Sequence, residues 1–270
     1  MSELERIGRE VRALARRAGA AIIDIYSGTF SVERKADDSP LTAADMAAHR
    51  VIIDGLCALT PDIPVLSEES AGVDWSTRKT WARYWLVDPL DGTREFVKRN
   101  GEFTVNIALI EDHAPVLGVV LAPVGGELYF ASNDAGAFVE LAPGAMPRPI
   151  ETRAAAATPI IAGSRSHGNE RQTRMLARLG EHRLISLGSS LKFCLIARGE
   201  ADVYLRLGPT SEWDTAAAQC VLEQAGGAVL DLAGAPLRYN AKESLLNPEF
   251  IAMGDASTDW LARMDLKRGE

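Results

Sequence analysis

Two carboxylates follow an apolar segment of the chain, in the run 85–93 that reads WLVDPLDGT. The apolar residues predict a buried strand that ends at Val87. Pro89 fixes one backbone dihedral, and Gly92 permits a tight exit that a residue with a Cβ atom would resist. The turn after the strand is therefore predicted to hold the two carboxylates at defined positions. Asp-Pro and Asp-Gly are also common turn dipeptides, so simple chain reversal remains an alternative for this run taken alone.

These two carboxylates belong to Asp88 and Asp91, and the carbonyl group of Leu90 lies between them. Oxygen ligands of this kind suit a hard cation such as Mg²⁺ better than any soft metal. The backbone amides of Gly92 and Thr93 in the same turn could bind a phosphate group. The run therefore indicates a cation site next to a phosphate site.

Two further acidic segments lie before and after this run. Glu68 follows a short apolar stretch in 65–70 (VLSEES), which predicts a second strand end that carries carboxylates. Asp214 opens a predicted helix in 212–218 (EWDTAAA) that runs to the glycine pair at 226–227. Asp214 alone could simply cap that helix.

Together, Glu68, Asp88, Asp91 and Asp214 could supply four carboxylates to one site. Four carboxylates neutralise two divalent cations, and phosphoryl transfer is the reaction that needs such a pair most. Phosphate monoesters are anionic and repel nucleophiles, so cations must screen them, activate a water and stabilise the departing oxygen.

Three short motifs carry a resemblance to a known family. The segments 68–70 (EES), 88–93 (DPLDGT) and 213–217 (WDTAA) resemble, in order, the motifs of the inositol monophosphatase superfamily of Mg²⁺-dependent, lithium-sensitive phosphatases. Within that superfamily, the longer runs 84–110 and 188–217 resemble the CysQ-type 3′(2′),5′-bisphosphate nucleotidases. The resemblance implies an α/β fold, a layered α-β-α-β-α sandwich with the site between two halves.

The resemblance implies two or three Mg²⁺ ions at this site. Their predicted ligands are Glu68, Asp88, the Leu90 carbonyl, Asp91 and Asp214. Asp88 would bridge two of the ions. The neighbouring Glu69 is expected to face away, because adjacent residues of a strand point to opposite sides.

The resemblance also implies roles for two residues that handle the attacking water. Thr93 is predicted to orient it, and Asp45 to accept its proton through the Thr93 hydroxyl, so that the predicted catalytic residues are Asp45, Thr93, Glu68 and Asp91. The spacing of Thr42 and Asp45 fits a helix capping box equally well. Direct attack by water needs no covalent intermediate and inverts the configuration at phosphorus. Four candidate nucleophiles have no activating partner close in sequence, namely Ser67, Ser70, Cys57 and His167.

Further residues map by resemblance to nucleotide contacts. His167 follows a predicted strand, Ser189 and Lys192 stand at the start of a predicted helix, and Arg206 ends a predicted strand. The alternatives are a loop residue for His167, a helix cap for Ser189, and solvated surface cations for Lys192 and Arg206. The full predicted substrate-binding set is Glu68, Leu90, Asp91, Gly92, Thr93, His167, Ser189, Lys192, Arg206 and Asp214.

The reaction implied by the resemblance is release of the 3′-phosphate from 3′-phosphoadenosine 5′-phosphate, a by-product of sulfate assimilation, to give AMP and phosphate. 3′-Phosphoadenylyl sulfate is a second possible substrate. The alternatives are an inositol-1-phosphate phosphatase, which needs no adenine pocket, and a module that binds a nucleotide without turnover.

Composition limits the other classes. The chain has 270 residues, 47% of them hydrophobic, and a net charge of −8, which argues against nucleic acid as the main ligand. Neither a signal peptide nor a membrane-spanning stretch is predicted, and the scattered cysteines Cys57, Cys194 and Cys220 are expected to be reduced packing residues of a cytoplasmic protein. The oligomeric state is not predicted.

The pattern of apolar residues predicts two halves that form one compact unit. Residues 1–150 are expected to hold an amphipathic first helix, a second helix at 42–59 and a largely antiparallel sheet; residues 151–270 are expected to alternate strands and helices. The segment 141–158, rich in Pro and Ala, is the predicted boundary. A strand is expected at 30–33, a polar loop at 35–40, and helices at 168–179, 189–199 and 213–225.

Overall fold

The structure is a computed structural model that describes residues 2–28, 32–34, 40–164 and 170–266. The predicted polar loop and the predicted substrate contact His167 therefore lie outside the described residues, Pro40 of that loop excepted. The helices are α1 (Glu3–Tyr26), α2 (Ala43–Leu59), α3 (Trp75–Arg78), α4 (Thr93–Val97), α5 (Glu170–Ala177), α6 (Leu191–Ala197), α7 (Ala216–Gln224) and α8 (Trp260–Arg263). Two 3₁₀ helices lie at Glu68–Ser70 and Glu212–Asp214.

The strands form three sheets. They are β1 (Val32–Arg34), β2 (Pro40–Thr42), β3 (Val65–Ser67), β4 (Arg83–Asp91), β5 (Thr104–Glu111), β6 (Ala114–Leu121), β7 (Leu128–Ser132), β8 (Gly136–Glu140), β9 (Arg148–Pro149), β10 (Ile160–Ser164), β11 (Arg183–Leu187), β12 (Val203–Arg206), β13 (Ala228–Asp231) and β14 (Phe250–Met253). The predicted strand at 30–33 overlaps β1, which pairs with β2 in a small antiparallel sheet.

The large sheet has seven strands in the order β3-β4-β5-β6-β7-β8-β9. Its pairs are antiparallel, except that β3 lies parallel to β4. The largely antiparallel first half is therefore confirmed. Strand β9 lies inside the predicted boundary segment 141–158, so part of that segment extends the sheet. The division into two halves stays a prediction.

The second sheet has five strands in the order β11-β10-β12-β14-β13. Strand β10 is parallel to both of its neighbours, whereas β14 is antiparallel to β12 and β13. The carboxyl ends of the parallel strands lie at one edge of the sheet, where β11 leads into α6.

Three hydrophobic cores separate five layers. The first core lies between helices α1 and α2 and one face of the large sheet. The second contains helices α6 and α7, which lie between the other face of that sheet and the inner face of the five-stranded sheet. The third packs α5 and α8 against the outer face of the five-stranded sheet. This α-β-α-β-α arrangement confirms the predicted fold class.

The spacing of apolar residues and the N-terminal cap explain why α1 forms and packs on the large sheet. Ser2 and Glu5 form a reciprocal capping box at the start of α1. The buried face of this helix repeats at three- and four-residue steps and includes Ile7, Val11, Leu14, Ala18 and Ile22. In the middle layer, helix α7 packs directly against β6. A Cβ atom at Gly118 of β6 would lie 2.3 Å from the carbonyl oxygen of Ala217 in α7.

The prediction that a strand ends at Val87 is wrong. Strand β4 continues to Asp91, and its pairing with β5 shifts between Asp88, opposite Asn106, and Asp91, opposite Thr104. Pro89 lies at this irregularity because it has no N–H group to donate to the ladder. The resulting β-bulge turns successive side chains away from strict alternation.

Several helix bounds also differ from the prediction. The helix predicted at 213–225 is split into the 3₁₀ turn Glu212–Asp214 and the helix α7. Helix α7 ends just before Gly226, whose positive φ of 99° stops a helix. Helices α5 and α6 are shorter than the predicted 168–179 and 189–199. No helix among the described residues is long and apolar enough to cross a membrane. The three cysteines are free thiols, but Cys57 is exposed, so the prediction that it packs in the core is wrong.

Candidate active site

Three aspartates from distant parts of the chain meet at one point. Each of Asp88, Asp91 and Asp214 offers a carboxylate oxygen, and these three oxygens lie within 4.8 Å of one another. The first two come from the bulge of β4, and the third comes from the 3₁₀ turn that precedes α7. Because α7 lies between the two sheets, its packing brings the third carboxylate to the end of β4.

Glu68 lines the same cavity from a different element. It opens the 3₁₀ turn that follows β3, and β3 is held parallel to β4 by the pairing of Ser67 with Val87. The expectation that Glu69 faces away by strand alternation does not apply, because both glutamates lie in a 3₁₀ turn rather than a strand. Glu69 instead acts electrostatically on His49: burial lowers the pKa of that ring, and the charge of Glu69 opposes the shift.

Electrostatic repulsion is the main property of the cluster. Burial, followed by the charges of Glu68 and Asp91, raises the pKa of Asp88 well above its usual range. Burial likewise raises the pKa of Asp214, with Asp91 as the next cause. Burial raises the pKa of Asp91 to about 6, although Lys192 and the Ser190 amide oppose the shift. Carboxylates arranged this way favour a bound cation, since an oxygen-only donor set matches Mg²⁺.

These shifts predict a pH-dependent gain of stability on Mg²⁺ addition. The raised pKa of Asp91 stabilises the metal-free fold below the usual pKa near 4, and this contribution is lost as the pH rises through about 6. We expect Mg²⁺ to bind the ionised carboxylates, so its increase in Tm should be larger at pH 8 than at pH 5. Differential scanning fluorimetry with and without Mg²⁺ measures this increase. An increase that is equal at both pH values would contradict the assignment.

The cluster lines a cavity of about 230 Å³. The four motif carboxylates line it together with Leu90, Gly92 and Thr93. Ser189, Lys192 and Arg206 line the same cavity. The predicted substrate set, apart from His167, is therefore brought together around one cavity.

Lys192 and Arg206 are not solvated surface cations. Lys192 is only 5% exposed and Arg206 only 8%. The Lys192 ammonium donates to the carbonyl oxygens of Leu187 and Ser189, and it lies 5.2 Å from the centre of the Tyr204 ring. Burial lowers the pKa of Lys192 to about 8, and the charge of Asp91 opposes this shift. Two buried cations and four carboxylates thus line one cavity.

The guanidinium of Arg206 is fixed by the loop that follows β12. It donates from Nε to the carbonyl oxygen of Gly208 at 3.2 Å and from Nη2 to that of Pro209 at 2.7 Å. These two bonds hold the planar group at the cavity wall, ready for an anionic ligand. The loop itself ends at Thr210, whose carbonyl oxygen accepts from Asn247 N–H at 2.8 Å.

Two hydroxyl groups at the cavity wall have no hydrogen-bond partner among the described residues. They are the buried Oγ of Ser189 and Oγ1 of Thr210, and both residues line the cavity. Ser189 is not the helix cap, because Ser190 occupies that position and makes no side-chain capping bond. Sequence reasoning missed Thr210, because a threonine in a loop before the third motif has no distinctive type or spacing.

Ser190 was also missed, and it orients a cluster residue. Its amide donates to Asp91 Oδ2 at 2.6 Å. Its hydroxyl donates to Asn106 Oδ1 at 2.8 Å and lies 2.8 Å from Thr104 Oγ1. A single buried serine therefore links the start of α6 to β5 and to the Asp91 carboxylate.

Asp214 is both a capping residue and a member of the carboxylate cluster. Its Oδ2 accepts from the Ser211 amide at 2.9 Å, in a capping box of the 3₁₀ turn. The same side chain lies in the carboxylate cluster. The capping bond fixes the direction of the carboxylate rather than replacing its place at the cavity.

Thr93 and Asp45 lie next to each other. The Thr93 hydroxyl lies 3.5 Å from Asp45 Oδ2 and 3.4 Å from the Leu90 carbonyl oxygen. Asp45 lies in the first turn of α2 and is 0% exposed. The capping-box alternative depends on the side chain of Thr42, which lies outside the described part of the structure.

A partner for Ser67 does exist in space. Its Oγ lies 3.0 Å from Nδ1 of His49, a residue of α2. Ser67 is 0% exposed, however, and it is not among the described residues that line the cavity. The pair therefore gives no nucleophile, in line with direct attack by water.

The chain belongs to the inositol monophosphatase family, whose family model matches residues 3–262. Within that family, it is 54% identical over 243 residues to the 3′(2′),5′-bisphosphate nucleotidase CysQ of Salmonella typhimurium, with coverage of 89% of this chain and 97% of the relative. It is 53% identical over 243 residues to the CysQ nucleotidase of Escherichia coli, with the same coverage.

Solved structures agree with this placement. A CysQ from Bacteroides thetaiotaomicron, described as a bacterial member of the same family, is 42% identical and has a TM-score of 0.83, with coverage of 93% of this chain and 98% of the other. An inositol monophosphatase/NADP phosphatase complexed with Mg²⁺ and phosphate has a TM-score of 0.81, with coverage of 100% of this chain and 97% of the other. At 19% identity, this second likeness shows the fold alone.

Proposed function

We propose that this protein is a Mg²⁺-dependent 3′(2′),5′-bisphosphate nucleotidase that releases the 3′-phosphate of 3′-phosphoadenosine 5′-phosphate to give AMP and phosphate. 3′-Phosphoadenylyl sulfate is a plausible second substrate, because it carries the same 3′-phosphate. The observation that carries the proposal is a cavity lined by four carboxylates and by two buried cations, Lys192 and Arg206, here called the cationic wall, in a chain 54% identical to a CysQ nucleotidase.

Glu68, Asp88, the Leu90 carbonyl, Asp91 and Asp214 are the proposed Mg²⁺ ligands. The close approach of three aspartate oxygens supports this set, because the charges otherwise repel. Mg²⁺ bound by these ligands supplies positive charge to the phosphate and lowers the pKa of water. We propose that these residues would hold two or three such ions.

Thr93 and Asp45 are proposed to handle the nucleophile. The Thr93 hydroxyl donates its hydrogen to Asp45, which leaves a lone pair on Oγ1 to accept a hydrogen bond from water. The carboxylate of Asp45 then receives the proton through this hydroxyl as water attacks phosphorus. Attack by water in line with the leaving 3′-oxygen forms one P–O bond, breaks the ester P–O bond and inverts the configuration at phosphorus. The departing 3′-oxygen takes a proton from solvent to become the 3′-hydroxyl of AMP.

The cationic wall is proposed to bind the second phosphate of the nucleotide. Lys192 and Arg206 are both fixed in place by carbonyl oxygens, so little side-chain entropy is lost when an anion binds. Ser189 and Thr210 offer hydroxyls that gain a partner when ligand oxygens enter the cavity. His167 remains a proposed contact by resemblance alone.

Lys192→Met tests the role of this wall. Loss of a charge-assisted hydrogen bond of about 1.5–3 kcal/mol predicts a roughly 10- to 150-fold lower kcat/KM for the bisphosphate nucleotide. The loss should be smaller for adenosine 3′-monophosphate, which lacks the second phosphate. Lys79→Met, at an exposed lysine outside the cavity, is the matched control. Equal losses for both substrates would show that Lys192 does not contact the second phosphate.

The reaction itself is tested by product analysis in ¹⁸O-labelled water. We expect AMP rather than adenosine 3′-phosphate, with a single solvent oxygen in the released phosphate and no phosphorylated protein. A phosphoenzyme would contradict direct attack by water. Release of the 5′-phosphate would contradict the proposed orientation of the substrate.

A further inference from the structure

The serine that precedes Glu68 does not make the hydrogen bond expected of it. Ser67 is the N-cap residue of the 3₁₀ turn Glu68–Ser70, and serine in that position usually accepts from the amides of the following turn. Its side chain makes no such bond. Its hydroxyl instead lies 3.0 Å from His49 Nδ1.

This contact joins two elements that carry proposed site residues. His49 lies one turn after Asp45 on the same helix, α2, and Ser67 is the last residue of β3. Ser67 is completely buried, so without His49 its hydroxyl would be left as an unsatisfied buried group. The bond therefore fixes the end of β3 against α2 at the point where the chain turns into Glu68.

We propose that His49 is a positioning residue, whose hydrogen bond to Ser67 holds the Glu68 turn in the place that Mg²⁺ binding requires. The inference rests on the proposed function, because it takes Glu68 as a Mg²⁺ ligand. Partners of this kind, one step behind a metal ligand, typically change metal affinity or activity by about 10–100-fold when they are removed.

Removal of the ring nitrogen tests the proposal. His49→Phe keeps an aromatic ring without Nδ1, and His49→Asn restores a polar atom near the position of Nδ1. We expect His49→Phe to weaken Mg²⁺ binding, measured by isothermal titration calorimetry on the full chain, by about 10-fold or more. Turnover at saturating Mg²⁺ should stay within about 3-fold of wild type, because this residue only positions a ligand. His49→Asn should recover most of the affinity.

Ser67→Ala removes the other partner of the bond. If the effect of His49 passes through this bond, Ser67→Ala should weaken Mg²⁺ binding to a similar extent, and the double variant His49→Phe/Ser67→Ala should be no weaker than either single variant. Cys57→Ala, at an exposed position further along α2, is the control for general disturbance of the helix. Circular dichroism and Tm confirm that each variant is folded.

Each outcome bears on the proposal. Unchanged Mg²⁺ affinity in His49→Phe, or fully additive effects of the two substitutions, would overturn it. A fall in turnover with unchanged Mg²⁺ affinity would also overturn it, because His49 would then act in the catalytic step rather than in Mg²⁺ binding. Should the wild type bind Mg²⁺ but release no phosphate from any nucleotide, the proposed function fails while the calorimetric test of His49 still holds. Absence of Mg²⁺ binding by the wild type overturns both.

Discussion

Asp91→Asn is expected to reduce phosphate release by at least about 100-fold and to raise the Tm of the metal-free protein. The first effect follows because Asp91 is a proposed direct ligand, and even partners one step removed from a metal change activity by about 10–100-fold. The second follows because the substitution removes a charge from a cluster in which burial and neighbouring carboxylates raise the pKa of Asp88 and of Asp91.

The size of the Tm change depends on how much repulsion is relieved. For a chain of this length, each kcal/mol corresponds to about 2–4 °C. The increase should be larger at pH 8 than at pH 5, because Asp91, with a pKa of about 6, is already largely protonated at the lower pH. Asp134→Asn, at a carboxyl outside the cavity that accepts from the Ser132 hydroxyl, is a matched control. Retained activity or a lower Tm in Asp91→Asn would contradict the placement of Asp91 in a metal cluster.

Asp45→Asn is expected to reduce kcat by about 100-fold or more, with little change in Mg²⁺ affinity. General acid–base groups typically contribute about 10²–10⁴-fold, and Asp45 is the completely buried acceptor of the Thr93 hydroxyl. Thr93→Val, which keeps the shape of the side chain but lacks the hydroxyl, should give a loss of similar size. The two losses should not multiply in the double variant, since both residues act on one proton.

The capping-box alternative gives a different result for the same variant. If Asp45 only caps α2, Asp45→Asn should alter stability and leave kcat within a few-fold of wild type, because asparagine is itself a good capping residue. Steady-state kinetics at saturating Mg²⁺, together with Tm, separate the two roles. Turnover that stays intact in Asp45→Asn would remove its catalytic assignment.

The carboxylates of the site could be predicted from the sequence, because each lies in a short motif whose residue types already suit a cation. Strand β4 shows where local reasoning fails. Pro89 was interpreted as the residue after a strand end, but the strand passes through it as a bulge, since the ladder on either side is stable enough to tolerate one missing donor.

The burial of Lys192 could not be predicted from its own segment. An isolated lysine at a helix start is usually solvated. Lys192 is buried because nearby carbonyl oxygens accept from its ammonium group and because the carboxylate of Asp91, distant in the sequence, compensates its charge. The His49–Ser67 contact spans 18 positions and has no motif of its own. Such contacts arise only when layers pack, so they are visible in the fold and not in the spacing.

The most direct test of the central claim compares substrates with purified protein and Mg²⁺. Phosphate release would be measured from 3′-phosphoadenosine 5′-phosphate, inositol 1-phosphate and fructose 1,6-bisphosphate at matched concentrations. We expect a large preference for the nucleotide that disappears without Mg²⁺ and in Asp91→Asn. Preference for inositol 1-phosphate would keep the metal site but contradict the nucleotide assignment, and nucleotide binding without hydrolysis of any substrate would identify a binding module instead of an enzyme.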